Sequence, residues 1–121
     1  MNHPVRVLVV DDQAVVRSAT RSLLEATRDF VAVGEAASGV EALTAVEELG
    51  PDLVLLDVRM PDMDGVETAA RIKAARSQTV VVLMSSDPRA NPGASSVAFV
   101  QKERLKPALL RYLWARFAPS R

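Results

Sequence analysis

The chain has 121 residues, and at about 100 to 200 residues per domain this length predicts one domain over residues 1–121, with a core over about 5–117. Apolar residues make up 49% of the chain, and fifteen basic and fifteen acidic residues cancel in net charge, which is typical of a globular domain and excludes a disordered one. The longest uninterrupted apolar run, residues 80–84, is far shorter than the roughly 18 residues of a membrane span. Without cysteine, the chain has neither disulfides nor thiolate metal sites, and we expect a cytoplasmic protein without membrane contact.

Five short apolar segments alternate along the chain with segments of helical periodicity. The apolar segments are 5–10, 30–33, 53–56, 80–84 and 97–100. The helical stripes are Val15, Ala19, Leu23 and Ala26; Val40, Leu43, Val46 and Leu49; Val66, Ala69, Ala70 and Ile72; and Leu105, Leu109, Leu113 and Phe117. Near-continuous apolar strands are typical of a parallel sheet that is covered on both faces. The pattern therefore predicts an α/β fold, a doubly wound (βα)5 domain with a parallel five-stranded sheet.

The connection between the fourth and fifth predicted strands departs from this pattern. Only residues 86–96 are available for it, and Pro88, Pro92 and Gly93 limit a helix there to about one turn. We therefore predict a shortened or irregular fourth helix.

Polar side chains follow the apolar segments where the predicted strands end. They are Asp11, Asp12, Asp57, Ser85 and Lys102. Each has a simpler explanation when taken alone, since Asp12 could cap a helix, Ser85 could stabilise a turn and Lys102 could be solvated. Together they stand at the carboxyl ends of four parallel strands, the edge at which open α/β sheets bind ligands.

Three carboxylates at one edge of a sheet repel one another, by about 4 kcal/mol per pair at 4 Å and an effective dielectric of 20. Bound Mg²⁺ would offset this repulsion, and Mg²⁺ commonly combines one or two carboxylates with waters and phosphate oxygens. Phosphoryl transfer needs a metal, a cation on the phosphoryl oxygens and an in-line nucleophile. Asp57 is the candidate nucleophile, because its carboxylate can form an aspartyl phosphate.

Four segments of the sequence resemble the receiver domain of two-component response regulators. They are residues 7–12, 53–65, 81–85 and 99–102, and the likeness extends over about 5–117. The segment 53–65 is the most specific, since it joins a strand ending in Asp to a Met-Pro-x-Met-Asp-Gly loop. The resemblance implies the flavodoxin-like strand order 2-1-3-4-5 of this CheY-like superfamily.

The resemblance also implies roles for individual residues. Asp57 would be the phosphoacceptor, Ser85 and Lys102 would bind phosphoryl oxygens, and Phe99 would be the aromatic switch residue. Mg²⁺ would be bound by Asp12 directly, by Asp11 largely through water, by Asp57 and by the main-chain carbonyl of Arg59.

As in that family, we expect the chain to accept a phosphoryl group from a histidine kinase or a histidine phosphotransfer protein. The change of surface would then control a downstream protein, which the sequence does not identify. We do not expect an enzyme acting on other molecules, because the domain would catalyse only its own phosphorylation and dephosphorylation.

Arg59 and Asp87 stand two positions after Asp57 and Ser85. Our hypothesis is that this oppositely charged pair meets across the mouth of the site and slows the attack of water on the phosphoaspartate.

Other functions remain open at this point. The main alternative is a receiver-like module that docks a partner without phosphorylation, through a basic surface in residues 88–121, which hold seven basic residues and one acidic residue. A metal-dependent phosphohydrolase would need an Asp-x-Asp after the first strand, and a nucleotide site would need a glycine-rich loop. We interpret the arginines of this segment as the polar face of a last helix, and we therefore expect no direct nucleic-acid binding. The shortened fourth helix argues for a monomer or a weak dimer.

Overall fold

The computed structural model describes residues 3–90 and 98–119 and contains a five-stranded parallel sheet. The strands are β1 (Val5–Val10), β2 (Phe30–Ala36), β3 (Leu53–Asp57), β4 (Val80–Ser85) and β5 (Ala98–Gln101). The helices are α1 (Ala14–Glu25), α2 (Gly39–Leu49), α3 (Gly65–Ala75) and α4 (Pro107–Phe117), and a 3₁₀ turn spans Lys102–Arg104. The order of the strands is β2-β1-β3-β4-β5, which confirms the predicted fold class.

Two hydrophobic clusters lie on opposite faces of the sheet, because successive strand residues point to opposite sides. Val7 and Val9 belong to the cluster that also contains Leu24 of α1 and Leu110 of α4. Leu8 belongs to the other cluster, which α2 and α3 cover. Each fully buried leucine contributes about 1.5 to 3 kcal/mol relative to its exposed state, so both faces stabilise the same sheet.

Strand β2 is longer than predicted, since it continues three residues past the apolar segment 30–33. The extension contains Gly34 and Glu35, which interrupt the apolar pattern used to predict the strand. A Cβ atom on Gly34 would lie 2.7 Å from the Leu49 side chain, so the glycine allows α2 to pack closely. Glu35 lies at the edge of the sheet and pairs with Arg17 at 2.8 Å.

Of the four residues in the predicted apolar stripe of α1, Leu23 packs against the core, whereas Val15, Ala19 and Ala26 are exposed. Val15 is 74% exposed, and the buried residues of the helix are Thr20 and Leu24 instead. Thr20 can be buried because its hydroxyl donates a hydrogen bond to the Val16 carbonyl. Several apolar side chains of α1 are therefore left at the surface.

The chain leaves β4 through a turn in which the Ala90 N–H donates to the Asp87 carbonyl. Residues 91–97 are not among the described residues, so the rest of the predicted irregular fourth helix lies outside them. Of the helices in the described ranges, not one combines the length and the apolar character that crossing a membrane requires.

Candidate phosphoryl and metal site

Three carboxylates meet at the carboxyl edge of the sheet, where the sequence predicted them. Asp57 is the last residue of β3, and Asp11 and Asp12 directly follow β1. One oxygen from each carboxylate lies within 4.8 Å of the other two. Asp11 is fully buried, Asp57 is 7% exposed and Asp12 is exposed to solvent. The cluster thus has a buried floor and one side chain open to the solution.

Lys102, which follows β5, contacts two of these carboxylates. Its Nζ lies 2.5 Å from Asp11 Oδ2 and 3.6 Å from Asp57 Oδ2. The sequence indicated Lys102 as a site residue, but it gave no reason to expect Asp11 as its nearer partner. The ammonium neutralises part of the negative charge that the buried Asp11 brings to the cluster.

Backbone groups fix the orientation of the two buried carboxylates. Asp11 Oδ1 accepts a hydrogen bond from the Gln13 backbone N–H at 3.0 Å. The Arg17 side chain donates to the backbone carbonyl of Asp11 at 2.8 Å. The Arg59 N–H donates to Asp57 Oδ1 at 3.2 Å, which brings the peptide of Arg59 beside the cluster. Asp12 does not cap α1, since the N-cap residue is Gln13, without a side-chain hydrogen bond.

Burial raises the pKa of Asp57 above its usual value, because the charged carboxylate loses hydration there. The ammonium of Lys102 opposes this shift, whereas the charge of Asp11 adds to it. The Arg59 N–H also lowers the pKa, and Asp12 raises it further. Any added positive charge at this edge would therefore favour the ionised form of Asp57.

Ser85 and Phe99 lie on the neighbouring strands β4 and β5. Ser85 is buried, and its Oγ accepts a hydrogen bond from the Asp87 N–H at 3.0 Å, so the hydroxyl hydrogen remains able to donate elsewhere. Phe99 lies on β5 opposite Leu83 and packs, half-buried, against the cluster under α2 and α3.

Arg59 and Asp87 come from two different loops and make an ion pair. Arg59 Nη2 lies 3.3 Å from Asp87 Oδ2. The arginine side chain is 80% exposed, which indicates a weak pair, since ion pairs at the surface are worth about 0 to 1 kcal/mol. Arg89 lies 3.9 Å from the other Asp87 oxygen.

The loop after β3 is held closely against its surroundings. A Cβ atom on Gly65 would lie 2.4 Å from the Asp57 carbonyl, so only glycine permits α3 to begin there. Asp64 caps α3 by accepting the Glu67 N–H at 2.8 Å. Asp62 accepts hydrogen bonds from Gly39 and Val40 at the start of α2. The sequence gave no signal for this contact, because the partners are 23 and 22 residues apart.

The residues present suit a hard divalent cation. Carboxylate oxygens are the ligands that Mg²⁺ prefers, and three of them converge here from the ends of two strands. The exposed Asp12 leaves one side open for water or a phosphate oxygen.

The sequence profile of the response regulator receiver domain matches residues 7–103. The response regulator protein VraR of Staphylococcus epidermidis is 46% identical over 82 residues, which cover 68% of this chain and 39% of that protein. The chain thus spans about two fifths of the length of the VraR protein that it matches.

Two solved structures share the fold over almost all of both chains. The signal receiver domain of the putative response regulator NarL from Mycobacterium tuberculosis has a TM-score of 0.83 and 29% identity over 94% of this chain and 96% of its own. The response regulator domain of Thermotoga maritima CheB has a TM-score of 0.81 and 25% identity, and the match covers 98% of this chain and 100% of that domain. Since the profile also covers most of the residues, the chain belongs to the response regulator receiver domain family.

Proposed function

We propose that this domain is a phosphorylation-dependent signalling switch, with Asp57 as the phosphoacceptor. The observation that carries the proposal is the convergence of the Asp11, Asp12 and Asp57 carboxylates within 4.8 Å, with Lys102 beside two of them. Buried acids without compensation are costly, so a cluster of this kind suits a site that binds a cation and an incoming phosphoryl group.

The phosphoryl donor in this proposal is the phosphohistidine of a histidine kinase or of a histidine phosphotransfer protein. A carboxylate oxygen of Asp57 attacks the phosphorus in line, so that an O–P bond forms while the P–N bond breaks and its electron pair stays on the imidazole. The Ser85 hydroxyl donates to one phosphoryl oxygen, and Lys102 pairs with another. Mg²⁺ bound by Asp11, Asp12, Asp57 and the Arg59 carbonyl would offset the negative charge of the phosphoryl group.

The output is a change in the population of surface conformations. A phosphoryl group that binds one conformation better shifts the equilibrium towards it. Phe99 is the proposed reporter of the shift, because it lies on β5 two residues before Gln101, which pairs with Ser85, and three residues before Lys102. The recipient in this proposal is a downstream protein in the cytoplasm rather than nucleic acid, and the domain acts as a monomer or weak dimer.

Intact protein mass tests the phosphoacceptor directly. After incubation with acetyl phosphate and Mg²⁺, the wild type should gain about 80 Da, the mass of one phosphoryl group. Asp57→Asn should gain nothing, whereas Asp52→Asn, which makes the same chemical change at the other end of β3, should behave as the wild type does. An unmodified wild type, or a modified Asp57→Asn, would refute the proposal and leave a docking module that acts without phosphorylation.

We further propose that the Arg59–Asp87 pair protects the phosphoaspartate from hydrolysis, because the two side chains bridge the loops after β3 and β4. Arg59→Ala should shorten the lifetime of the phosphoaspartate about two- to fivefold, a change of the size expected from losing a weak exposed pair. Arg89→Ala is the matched control, since Arg89 also contacts Asp87 but is 93% exposed. An unchanged lifetime in Arg59→Ala, followed as the decay of the added mass, would contradict this role.

A further inference from the structure

Asp62 joins the loop that follows the candidate phosphoacceptor to the start of α2. Its Oδ1 accepts the Gly39 N–H at 3.0 Å, and its Oδ2 accepts the Val40 N–H at 2.9 Å. Helix N-termini carry unsatisfied N–H groups and partial positive charge, so a carboxylate is well placed there. These two hydrogen bonds lower the pKa of Asp62, because they stabilise its ionised form.

The start of α2 already has a cap of its own. Ser38 is the N-cap residue, and its Oγ accepts the Glu41 N–H at 3.1 Å. Glu41 in turn accepts the N–H of Ala37, the residue before the N-cap, at 3.0 Å. Asp62 therefore accepts the N–H groups of the first two residues of α2, which the Ser38 cap does not reach, and it does so from another part of the chain.

Asp62 is also the hydrogen-bonded anchor of its own loop. Within the part of the chain that the structure describes, its two bonds to α2 are the ones that tie residues 60–63 to another element. Packing supports the same contact, because a Cβ atom on Gly39 would lie 2.9 Å from the Met63 Cβ. The same loop contains Arg59, whose N–H orients Asp57.

We infer that Asp62 is a positioning residue, which fixes the loop after β3 on α2 and thereby sets the geometry of the Asp57 carboxylate and the Arg59 peptide for Mg²⁺. The inference rests on the proposed function of the site and adds a residue that touches neither the metal nor the phosphoryl group. Residues that hold metal ligands in position from outside the coordination sphere typically affect metal affinity by about 10- to 100-fold.

A pair of cap variants separates positioning from stability. Asp62→Ala removes the cap that comes from the loop, whereas Ser38→Ala removes the cap that belongs to α2. Both should lower the stability of the fold, measured by urea unfolding, because each leaves N–H groups of one helix end without partners. Only Asp62→Ala should weaken Mg²⁺ binding, by about tenfold in isothermal titration calorimetry. It should also slow phosphorylation by acetyl phosphate at limiting Mg²⁺, with recovery at saturating Mg²⁺.

Two results would overturn the inference. One is a wild-type Mg²⁺ affinity in Asp62→Ala, and the other is an equal loss of affinity in Ser38→Ala. If Asp62→Ala does not fold, Asp62→Asn takes its place, because the amide keeps one acceptor oxygen and should give a smaller loss of affinity. A wild-type affinity in Asp62→Asn would then overturn the inference. If the wild type binds Mg²⁺ but accepts no phosphoryl group, the proposed function fails while the comparison of Mg²⁺ affinities still decides the role of Asp62.

Discussion

Among single residues, Asp11 and Asp57 differ in how their charge is compensated. Asp11 is fully buried, but it has the ammonium of Lys102 at 2.5 Å and the Gln13 N–H on its other oxygen. Asp57 has the same lysine only at 3.6 Å and one longer bond from the Arg59 N–H. The less well compensated carboxylate is the one proposed to react. This agrees with the general finding that reactive groups have raised or lowered pKa values.

The raised pKa of Asp57 predicts a specific dependence of stability on pH. Between its unfolded value near 3.8 and its higher folded value, the folded state binds more protons, so ionisation of Asp57 makes folding less favourable as pH rises. Asp57→Asn should therefore be more stable than the wild type at pH 7 without Mg²⁺, and the difference should disappear below about pH 4.

Urea unfolding at several pH values measures this difference. Asp52→Asn is the control, and it should show no gain, because Asp52 accepts a hydrogen bond from the Arg6 N–H at the opposite end of β3. A wild type that is more stable than Asp57→Asn at pH 7 would contradict the expectation.

Among the elements, α1 has the most unusual surface. It borders a groove of about 540 Å³ that lies between the helix and the segment after β5. The groove is lined by Val15, Val16, Ala19, Leu23, Lys102 and Leu105, among others. Val15 and Ala19 of the predicted α1 stripe thus lie at the surface of a groove that Lys102 also lines, and we predict that this surface contacts the phosphodonor. Conflicts between a local pattern and the fold are expected at functional surfaces.

Val15 offers a test of this contact. The test uses a histidine kinase that phosphorylates the wild type. Val15→Gln should lower the rate of phosphoryl transfer from this kinase about tenfold, which corresponds to a loss of about 1.4 kcal/mol of interaction energy. The rate with acetyl phosphate should not change, because Val15 is 74% exposed and no part of the acidic cluster. Val40→Gln is matched, since Val40 is also an exposed valine at the second position of a helix. Equal effects of both variants on transfer from the kinase would refute the contact.

The sequence predicted those parts of the fold and site that depend on local pattern. The strands could be predicted because residues such as 80–84 are apolar and buried on both faces of the sheet. The cluster of Asp11, Asp12 and Asp57 could be predicted because the carboxyl ends of parallel strands lie at one edge of the sheet. The contact of Lys102 with Asp11 could not be predicted, since it depends on side-chain packing between residues 91 positions apart. The Asp62 cap likewise depends on tertiary packing, and the extension of β2 was missed because Gly34 and Glu35 interrupt its apolar pattern.

In the whole molecule, the proposed Mg²⁺ ligands depend on the complete sheet. Asp11 and Asp12 follow β1 and Asp57 ends β3, and these two strands pair at the centre of the sheet between its two hydrophobic clusters. Unfolding separates Asp57 from the adjacent residues Asp11 and Asp12, so the three-carboxylate site exists only in the folded state. We therefore predict that Mg²⁺ binding stabilises the entire domain rather than one loop.

Thermal unfolding measures this linkage. At a free Mg²⁺ concentration of 100 times the dissociation constant, the domain should gain about 2.7 kcal/mol, which corresponds to a rise of roughly 10 °C in Tm for a domain of this size. Asp12→Asn should reduce the rise, because it removes an exposed ligand without disturbing the core. Sodium chloride at equal ionic strength controls for screening of the acidic cluster. If the salt raised Tm as much as Mg²⁺ does, or if Asp12→Asn kept the full rise, screening rather than coordination would explain the effect, because only coordination requires these particular oxygens.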